Sequence, residues 1–508
     1  MLFLFFIALL LTVFWYIKKY TYWKVRNVKH DIPLPLFGNH IKNVFGMRTE
    51  TEMGMEMYKK YSKEKIVGYY RGTTPVLIVR DPDLIRYVLN KNFTSFHGRG
   101  LGRDHERMLM LNVFYARGDC WRLLRTALSP TFTTAKLRNM FPLIKKCTVR
   151  LQDVALKLSE SGKAICGREL MERYTTEFIG ACGFGIDMNT INTEKSLFIE
   201  LGKMIFTKTK WQLVFIAVRE LFAKNWLANN ISITRDDIRI IIMDIMRIIR
   251  EQRKKDNIKR NDFVDLLLEL ENAGVIEGDS LTRTDEKGFP VKTELIFTEE
   301  YTAAQLFIFF AAGFETSAGT ISWTLHQLAH HPHVQSKVHD EIDKTLKKHN
   351  GLNYDAVNEL LYLEMTIKEA IRTFSPGGYL SRECMKKNSI PGTDVTIDPG
   401  VIINIPVQAL HLDPKYYDNP TEFRPERFLP EEEKKRHKYV YLPFGEGPRK
   451  CIGSRLGLIQ SMSGLVAILQ NFTVVPAPNS KRNFKVKRNA FLVQAIEGGL
   501  PIVLKPRK

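Results

Sequence analysis

Thr298 to His331 reads as one uninterrupted helix, and a helix of that length dictates how the rest of the chain can be arranged. About 34 residues rise roughly 50 Å, enough to cross a whole domain, so the other elements must pack around it. Thr298, Glu299 and Glu300 suit its start, and Pro332 stops it. At its middle stands Ala312-Gly313-Phe314-Glu315-Thr316. An acid and an alcohol inside a buried apolar helix are costly unless they have partners or work to do. Gly313 and Ala312 precede Thr316 by three and four residues and so share its face. Small residues there leave a groove beside the helix, and Thr316 can bond a freed carbonyl or a water. A solvated or capped polar pair is the competing reading of this stretch taken alone.

A second stretch is rarer: Phe444-Gly445-Glu446-Gly447-Pro448-Arg449-Lys450-Cys451-Ile452-Gly453. It places one cysteine in a glycine-rich loop before a helix-like run, Leu456 to Leu469. No cysteine or histidine sits at metal-finger spacing from it. A lone thiolate can be the single axial ligand of a haem iron. Such a ligand needs backbone amides aimed at its sulfur, and glycines let the backbone come that close. The positive end of a following helix favours the anion. Arg449 offers a charge that a haem propionate could use. A buried structural cysteine is the alternative for Cys-x-Gly by itself.

The ten-residue string resembles the haem-binding signature of the cytochrome P450 superfamily at every fixed position. Three further motifs fall in family order. Ala312-Gly313-Phe314-Glu315-Thr316 is similar to the family's oxygen-activation site. Glu369-Ala370-Ile371-Arg372 is similar to its Glu-x-x-Arg pair, and Pro425-Glu426-Arg427-Phe428 to the later segment that completes a charged triad. The resemblance implies a mostly helical fold with small β-sheets, as a single large catalytic domain behind an N-terminal membrane anchor. It implies haem b with Cys451 as axial thiolate. Arg449, Trp121, Arg125, Arg382 and Phe444 are its expected surroundings, with Trp121 and Arg125 one turn apart. It assigns Thr316, Glu315 and ordered water to proton delivery, Ala312 and Gly313 to the groove, and Glu369, Arg372 and Arg427 to locking the haem-side loop. The stretch Ser375-Pro376-Gly377-Gly378-Tyr379 departs from the family's usual proline pair, which leaves that cavity wall open. Phe309, Phe310 and Tyr379 suggest an apolar pocket.

The formal charge of +20 calls for an acidic partner or an anionic surface. Basic residues are spread widely, without a nucleic-acid module, so membrane and acidic protein are favoured over nucleic acid. Leu2 to Ile17 is almost uninterruptedly apolar and is followed by Lys18, Lys19, Lys24, Arg26 and Lys29. A cleaved signal peptide would carry its charge before the apolar run and end in small residues. The expected order is therefore a signal-anchor at 1–20, a basic linker and proline hinge at 21–40, and the catalytic domain from 41 to 508. The charge after the run leaves the bulk of the chain cytoplasmic. By resemblance this is the endoplasmic reticulum membrane, with NADPH-cytochrome P450 reductase as electron donor and cytochrome b5 as a further candidate. Lys434, Lys435, Arg436, Lys438, Lys450 and Arg122 could form the docking face. Six scattered cysteines without a Cys-x-x-Cys pair fit a reducing compartment.

Several local expectations complete the reading. Val67 to Arg80 reads as a hairpin, and Val395–Ile397 and Val401–Ile405 as short strands. Phe93 to Phe114, rich in glycine, resembles the family's variable loop over the haem. Trp211 to Leu227 is either a core helix or a lid at the membrane surface. Asp279 to Thr293 is polar and reads as a surface loop. The substrate expected by resemblance is a lipophilic small molecule, as in the microsomal branch that oxidises foreign compounds, in insects especially. Oxidation of an endogenous lipid or hormone, a reductase-independent haem-thiolate isomerase and a non-catalytic lipid carrier are the alternatives. The intact acid-alcohol pair and haem contacts argue against the last two.

Overall fold

The computed structural model describes residues 13–14, 16, 18–100, 108–193, 196–221, 236–256, 262–490 and 492–507. Its main helices are α1 (Glu50–Lys60), α2 (Gly118–Leu128), α3 (Thr134–Glu160), α4 (Gly167–Ile179), α5 (Leu197–Phe206), α6 (Lys210–Leu221), α7 (Asp236–Asp256), α8 (Phe263–Ala273), α9 (Glu299–His330), α10 (Pro332–Lys348), α11 (Leu361–Thr373) and α12 (Ser454–Leu469). As the sequence predicts, α9 is the axis. It is buried on nearly every side, which is how a core helix differs from an amphipathic surface one. The largest apolar cluster joins α9 to α3, α4, α5, α7, α10, α11 and α12. Thr298 occupies the N-cap position in an extended conformation, but its side chain makes no capping hydrogen bond.

The sheets lie outside this bundle. β1 (Ile66–Arg71) and β2 (Thr74–Val79) form the expected hairpin, with Val67 opposite Ile78. The sheet continues as β1-β2-β9-β6, with β9 (Ile402–Ile405) parallel to β2 and β6 (Leu380–Glu383) antiparallel to β9. A second sheet has the order β10-β11-β3, from Phe472–Pro476, Pro501–Pro506 and Ile165–Cys166. β7 (Asn388–Ser389) and β8 (Thr396–Ile397) form a small hairpin.

One expectation is corrected. Asp279–Thr293 is not a loop but most of a second long hairpin, β4 (Val275–Thr284) with β5 (Pro290–Ile296). Burial along β5 alternates residue by residue, so half of its side chains face solvent and make the stretch read as polar. The inward side sits on α2: Ile276, Leu281 and Leu295 join the cluster around Leu123 and Leu124. Asp119 of α2 accepts hydrogen bonds from the Leu281 amide at 2.6 Å and the Ser280 hydroxyl at 2.8 Å.

The expected anchor, 1–20, falls mostly outside the described residues. Among those described, no helix is long and apolar enough to cross a membrane. Tyr20, Trp23 and Val28 are buried against the β1–β2 region, so the chain joins the body by Tyr20. Residues 101–107 of the variable loop and 222–227 of the candidate lid also lie outside the described part.

Candidate active site

Cys451 ends a loop folded onto itself. Its amide donates to the Phe444 carbonyl at 2.9 Å, and the Lys450 amide donates to Gly447 at 2.9 Å. Phe444 itself is half-buried. Gly445 and Gly447 have positive φ, 70° and 79°, where a side chain is strained. At Gly447 a Cβ would also stand 1.9 Å from the Leu89 carbonyl oxygen. Gly447→Ala is therefore expected to destabilise by more than the ~1–2 kcal/mol of the left-handed conformation alone. A lowered urea midpoint together with faster haem loss would check this; an unchanged midpoint would show that the loop is slack.

α12 begins immediately after Cys451, with Gly453 at its N-cap, and the Gly453 backbone hydrogen-bonds the sulfur. Cys451 is the one exposed cysteine of the six, yet burial is the main force on it and raises the thiol. Both hold if the sulfur opens into an internal cavity walled by protein. Gly453, Arg99, Arg125 and Lys450 oppose the rise and favour the anion. A coordinated metal would deprotonate such a thiol outright.

On α9, Ala312 is exposed in the middle of a helix whose neighbours are mostly buried. α12 is tied to α9 beside this point by a 2.7 Å hydrogen bond from Ser317 to Gln460. The Thr316 hydroxyl donates to the Ala312 carbonyl at 2.6 Å, as its spacing suggests. Gly313 meets a further demand, because a Cβ there would approach Ile179 of α4 to 2.1 Å. Glu315 is only 3% exposed and is ion-paired to Arg168 of α4. Among the described residues no hydrogen bond joins Glu315 to Thr316, so the structure brings Thr316 together with Ala312 rather than with the acid. Phe310 does not line the cavity as expected. It is fully buried among Phe184, Phe198 and Phe314, and Phe309 stacks on Phe263 at 4.4 Å.

The surroundings of the cysteine loop are crowded with buried cations. Arg449 donates to the carbonyls of Phe114, at 3.3 Å, and Ala116. Its guanidinium lies 4.7 Å from the centre of the buried Trp121 ring. Burial, then Arg99, Arg382, Arg117 and Arg125, push its pKa down to about 7. Arg382 falls to about 9 and Arg99 to about 10, each mainly by burial. Burial likewise lowers Arg125. The Nε atoms of Arg99, Arg382 and Arg449 are buried without a hydrogen-bond partner among the described residues. Arg117, in contrast, pairs with Glu383 at 2.9 Å. Buried, repelling guanidinium groups with orphaned donors call for anions. Haem b, which carries two carboxylates and an iron that a thiolate can hold, would meet that demand. Arg99 was hidden to sequence reading in a glycine-rich run. Its only local signal is a charge set between two glycines, Gly98 and Gly100.

Glu369, Arg372 and Arg427 meet as expected. Arg372 and Glu369 are fully buried, joined at 2.6 Å through Nε and 2.8 Å through Nη2. Arg427 approaches Glu369 at 3.3 Å, an ion pair without hydrogen-bond geometry at its Nε. A separate cleft of about 450 Å³ lined by Met140, Cys147, Arg150 and Glu177 contains none of these groups.

A family model for cytochrome P450 matches residues 29–501 of the chain. The chain is 35% identical over 503 residues to cytochrome P450 6B2 of Helicoverpa armigera, covering 99% of this chain and 97% of that one. It is 33% identical to cytochrome P450 6k1 of Blattella germanica, over 96% of this chain and 93% of that one. It is 34% identical to a probable cytochrome P450 6a14 of Drosophila melanogaster, over 95% and 96%.

Proposed function

The chain belongs to the cytochrome P450 family, a haem-thiolate monooxygenase by that membership, and from this premise we propose that it oxidises foreign lipophilic compounds at a membrane surface with electrons from an NADPH-dependent flavoprotein reductase. The observation that carries the reading is the exposed Cys451 in a glycine loop, with Arg99 acting on its thiol and three buried arginines, Arg99, Arg382 and Arg449, whose Nε atoms are orphaned.

Bound there, haem supplies the oxygen-activating redox chemistry that no side chain can. The chain supplies the rest. Cys451 would hold the iron through its sulfur, and a thiolate there would tune the group electronically for oxygen chemistry. Arg99, Arg382 and Arg449 would hold the propionates, with Trp121 stacked on Arg449 and Arg125 adding charge near it. Ala312 leaves room beside α9, and Thr316 holds a proton at its hydroxyl. A positioned proton donor contributes typically 10²–10⁴-fold. Thr316→Ala is thus expected to keep the carbon monoxide spectrum while product per NADPH falls on the order of 10²-fold. Tight coupling in that variant would remove Thr316 from proton delivery.

The membrane reading is supported by exposed apolar side chains on the N-terminal segment and α6. Ile32 is 88% exposed, Phe45 63% and Trp211 75%. Large exposed apolar groups so grouped suit a lipid surface. The proposed docking face is partly neutralised from within. Lys450 and Lys438 reach Glu446 at 3.1 and 3.3 Å, and Arg122 lies 3.9 Å from Asp279. Reductase-supported turnover that weakens with rising salt would test this face; salt-independent turnover would count against it.

A further inference from the structure

The hairpin of β4 and β5 is more ordered than its packing on α2 requires. Its base and middle rest on that helix through Ile276, Leu281 and Leu295. Arg122 of α2 donates to the Ser280 carbonyl at 3.2 Å. Beyond this contact, residues 282–290 are all exposed. Exposed loop tips are ordinarily loose, but this one is stapled. The Asp285 amide donates to the Phe289 carbonyl at 2.8 Å, and the Gly288 amide to the Asp285 carbonyl at 3.0 Å. Asp285 Oδ1 accepts from the amides of Lys287 and Phe289, each at 2.9 Å. Gly288 takes a φ of 84°, and Pro290 stiffens the chain after Phe289. The turn so held presents Phe289, which is 66% exposed. The outward face ends at the base in the cross-strand pair Val275 and Ile296, 41% and 66% exposed. None of these three joins an apolar cluster of the described residues.

We propose that the outward face of this hairpin is a docking arm for the electron-donating flavoprotein, with Phe289 as its apolar anchor. This deepens the monooxygenase reading and rests on the reductase dependence within it. Position argues for that partner. Arg122 belongs to the proposed docking face and is also held by the hairpin, through Ser280 and, at 3.9 Å, Asp279, so the arm borders the face. Charge divides the roles. Residues 275–296 hold five acids and three bases, so the hairpin alone does not attract an acidic partner. Lys292 pairs with Asp279 at 2.8 Å, and Arg283 with Asp119 at 3.2 Å. Steering therefore falls to the cations of the face, and retention to the apolar arm. Aromatic anchors carry much of the energy of a protein interface. An anchor that is already ordered loses little freedom on binding. A lipid surface is the competing occupant of exposed apolar groups. Glu277, Glu286 and Glu294 stand exposed along the same hairpin and would be repelled by the uniformly negative surface of an anionic bilayer. A protein surface offers both signs of charge over such a span.

Binding of NADPH-cytochrome P450 reductase to the haem-loaded enzyme, followed by surface plasmon resonance, separates the two roles. Phe289→Ala should raise the dissociation constant about tenfold, chiefly through faster dissociation. Rising salt should instead slow association, and by the same factor in wild type and variant. Asp285→Ala keeps the ring but frees the turn, so it should speed dissociation in the same direction. Phe289→Leu, which stays apolar, should recover part of the loss. In turnover, Phe289→Ala should need about tenfold more reductase to reach the same maximum. Peroxide-supported turnover, which needs no reductase, should hold in every variant. A fault in folding would lower both kinds of turnover. An unchanged dissociation rate in Phe289→Ala, or a matching loss of peroxide-supported turnover, would overturn the proposal. So would weaker binding of that variant to phosphatidylcholine–phosphatidylserine vesicles with reductase binding intact, which would give the arm to lipid. A wild-type enzyme that turns over with peroxide but neither binds nor uses the reductase would overturn the underlying reading instead.

Discussion

Cys451→Ser should abolish monooxygenase activity and remove the long-wavelength carbon monoxide band of the reduced protein, while leaving the fold in place. Changes to groups that only support a metal ligand cost about 10–100-fold in affinity or activity, so loss of the ligand itself should exceed that. The fold should survive because Cys451 is exposed to the cavity and its place in the loop is held through backbone bonds. Serine keeps the amide that donates to Phe444 and leaves Gly445 and Gly447 untouched. Circular dichroism and the reduced carbon monoxide spectrum, read together, check this. A variant that retains the long-wavelength band would show that another side chain ligates the metal.

Arg372→Ala is the change expected to cost most stability. Arg372 and Glu369 have no side-chain exposure, and Glu369 also accepts from the Arg424 amide at 2.9 Å. The same guanidinium donates to the carbonyls of His411 and Pro420, each at 2.9 Å. Removing one member of a buried ion pair costs roughly 3–5 kcal/mol, because the other charge stays buried alone. A domain has only about 5–15 kcal/mol in total. The variant should therefore yield little haem-loaded protein and a sharply lower denaturation midpoint. Arg372→Lys should rescue it only in part, since an ammonium cannot match the fork that meets Glu369 and three backbone carbonyls. Normal stability in the alanine variant would mean the carboxyl of Glu369 is met from elsewhere, with Arg427 the nearest candidate.

What was legible in the sequence was local along the chain. The α9 axis follows from apolar length and a proline stop and the cysteine loop from glycines fixed around one thiol, whereas the Glu369–Arg372 pair, whose spacing alone is that of any weak surface pair, was legible only through the family resemblance. Whatever depends on distant partners stayed hidden. Arg168 lies 147 positions from Glu315, so the acid reads as a partner of its neighbour Thr316 when its carboxylate is in fact turned to α4. The smallness of Gly313 reads as room for a ligand, yet Ile179 across a helix interface also requires it. Arg99 meets Arg449 across 350 positions and has no motif to mark it. The β4–β5 hairpin was missed because a strand with one wet face offers only half of its residues as apolar signal.

That hairpin has a thermodynamic consequence. It grips α2 through Asp119 and Leu123, while the other side of the same helix presents Trp121 to Arg449. Linkage is reciprocal: if docking of the hairpin on α2 favours haem binding, haem binding favours that docking by the same factor. With such coupling, the backbone amides of β4 and β5 should exchange with deuterium more slowly once haem is loaded. The exposed turn around Phe289, at the tip of the hairpin, then becomes a gauge of occupancy.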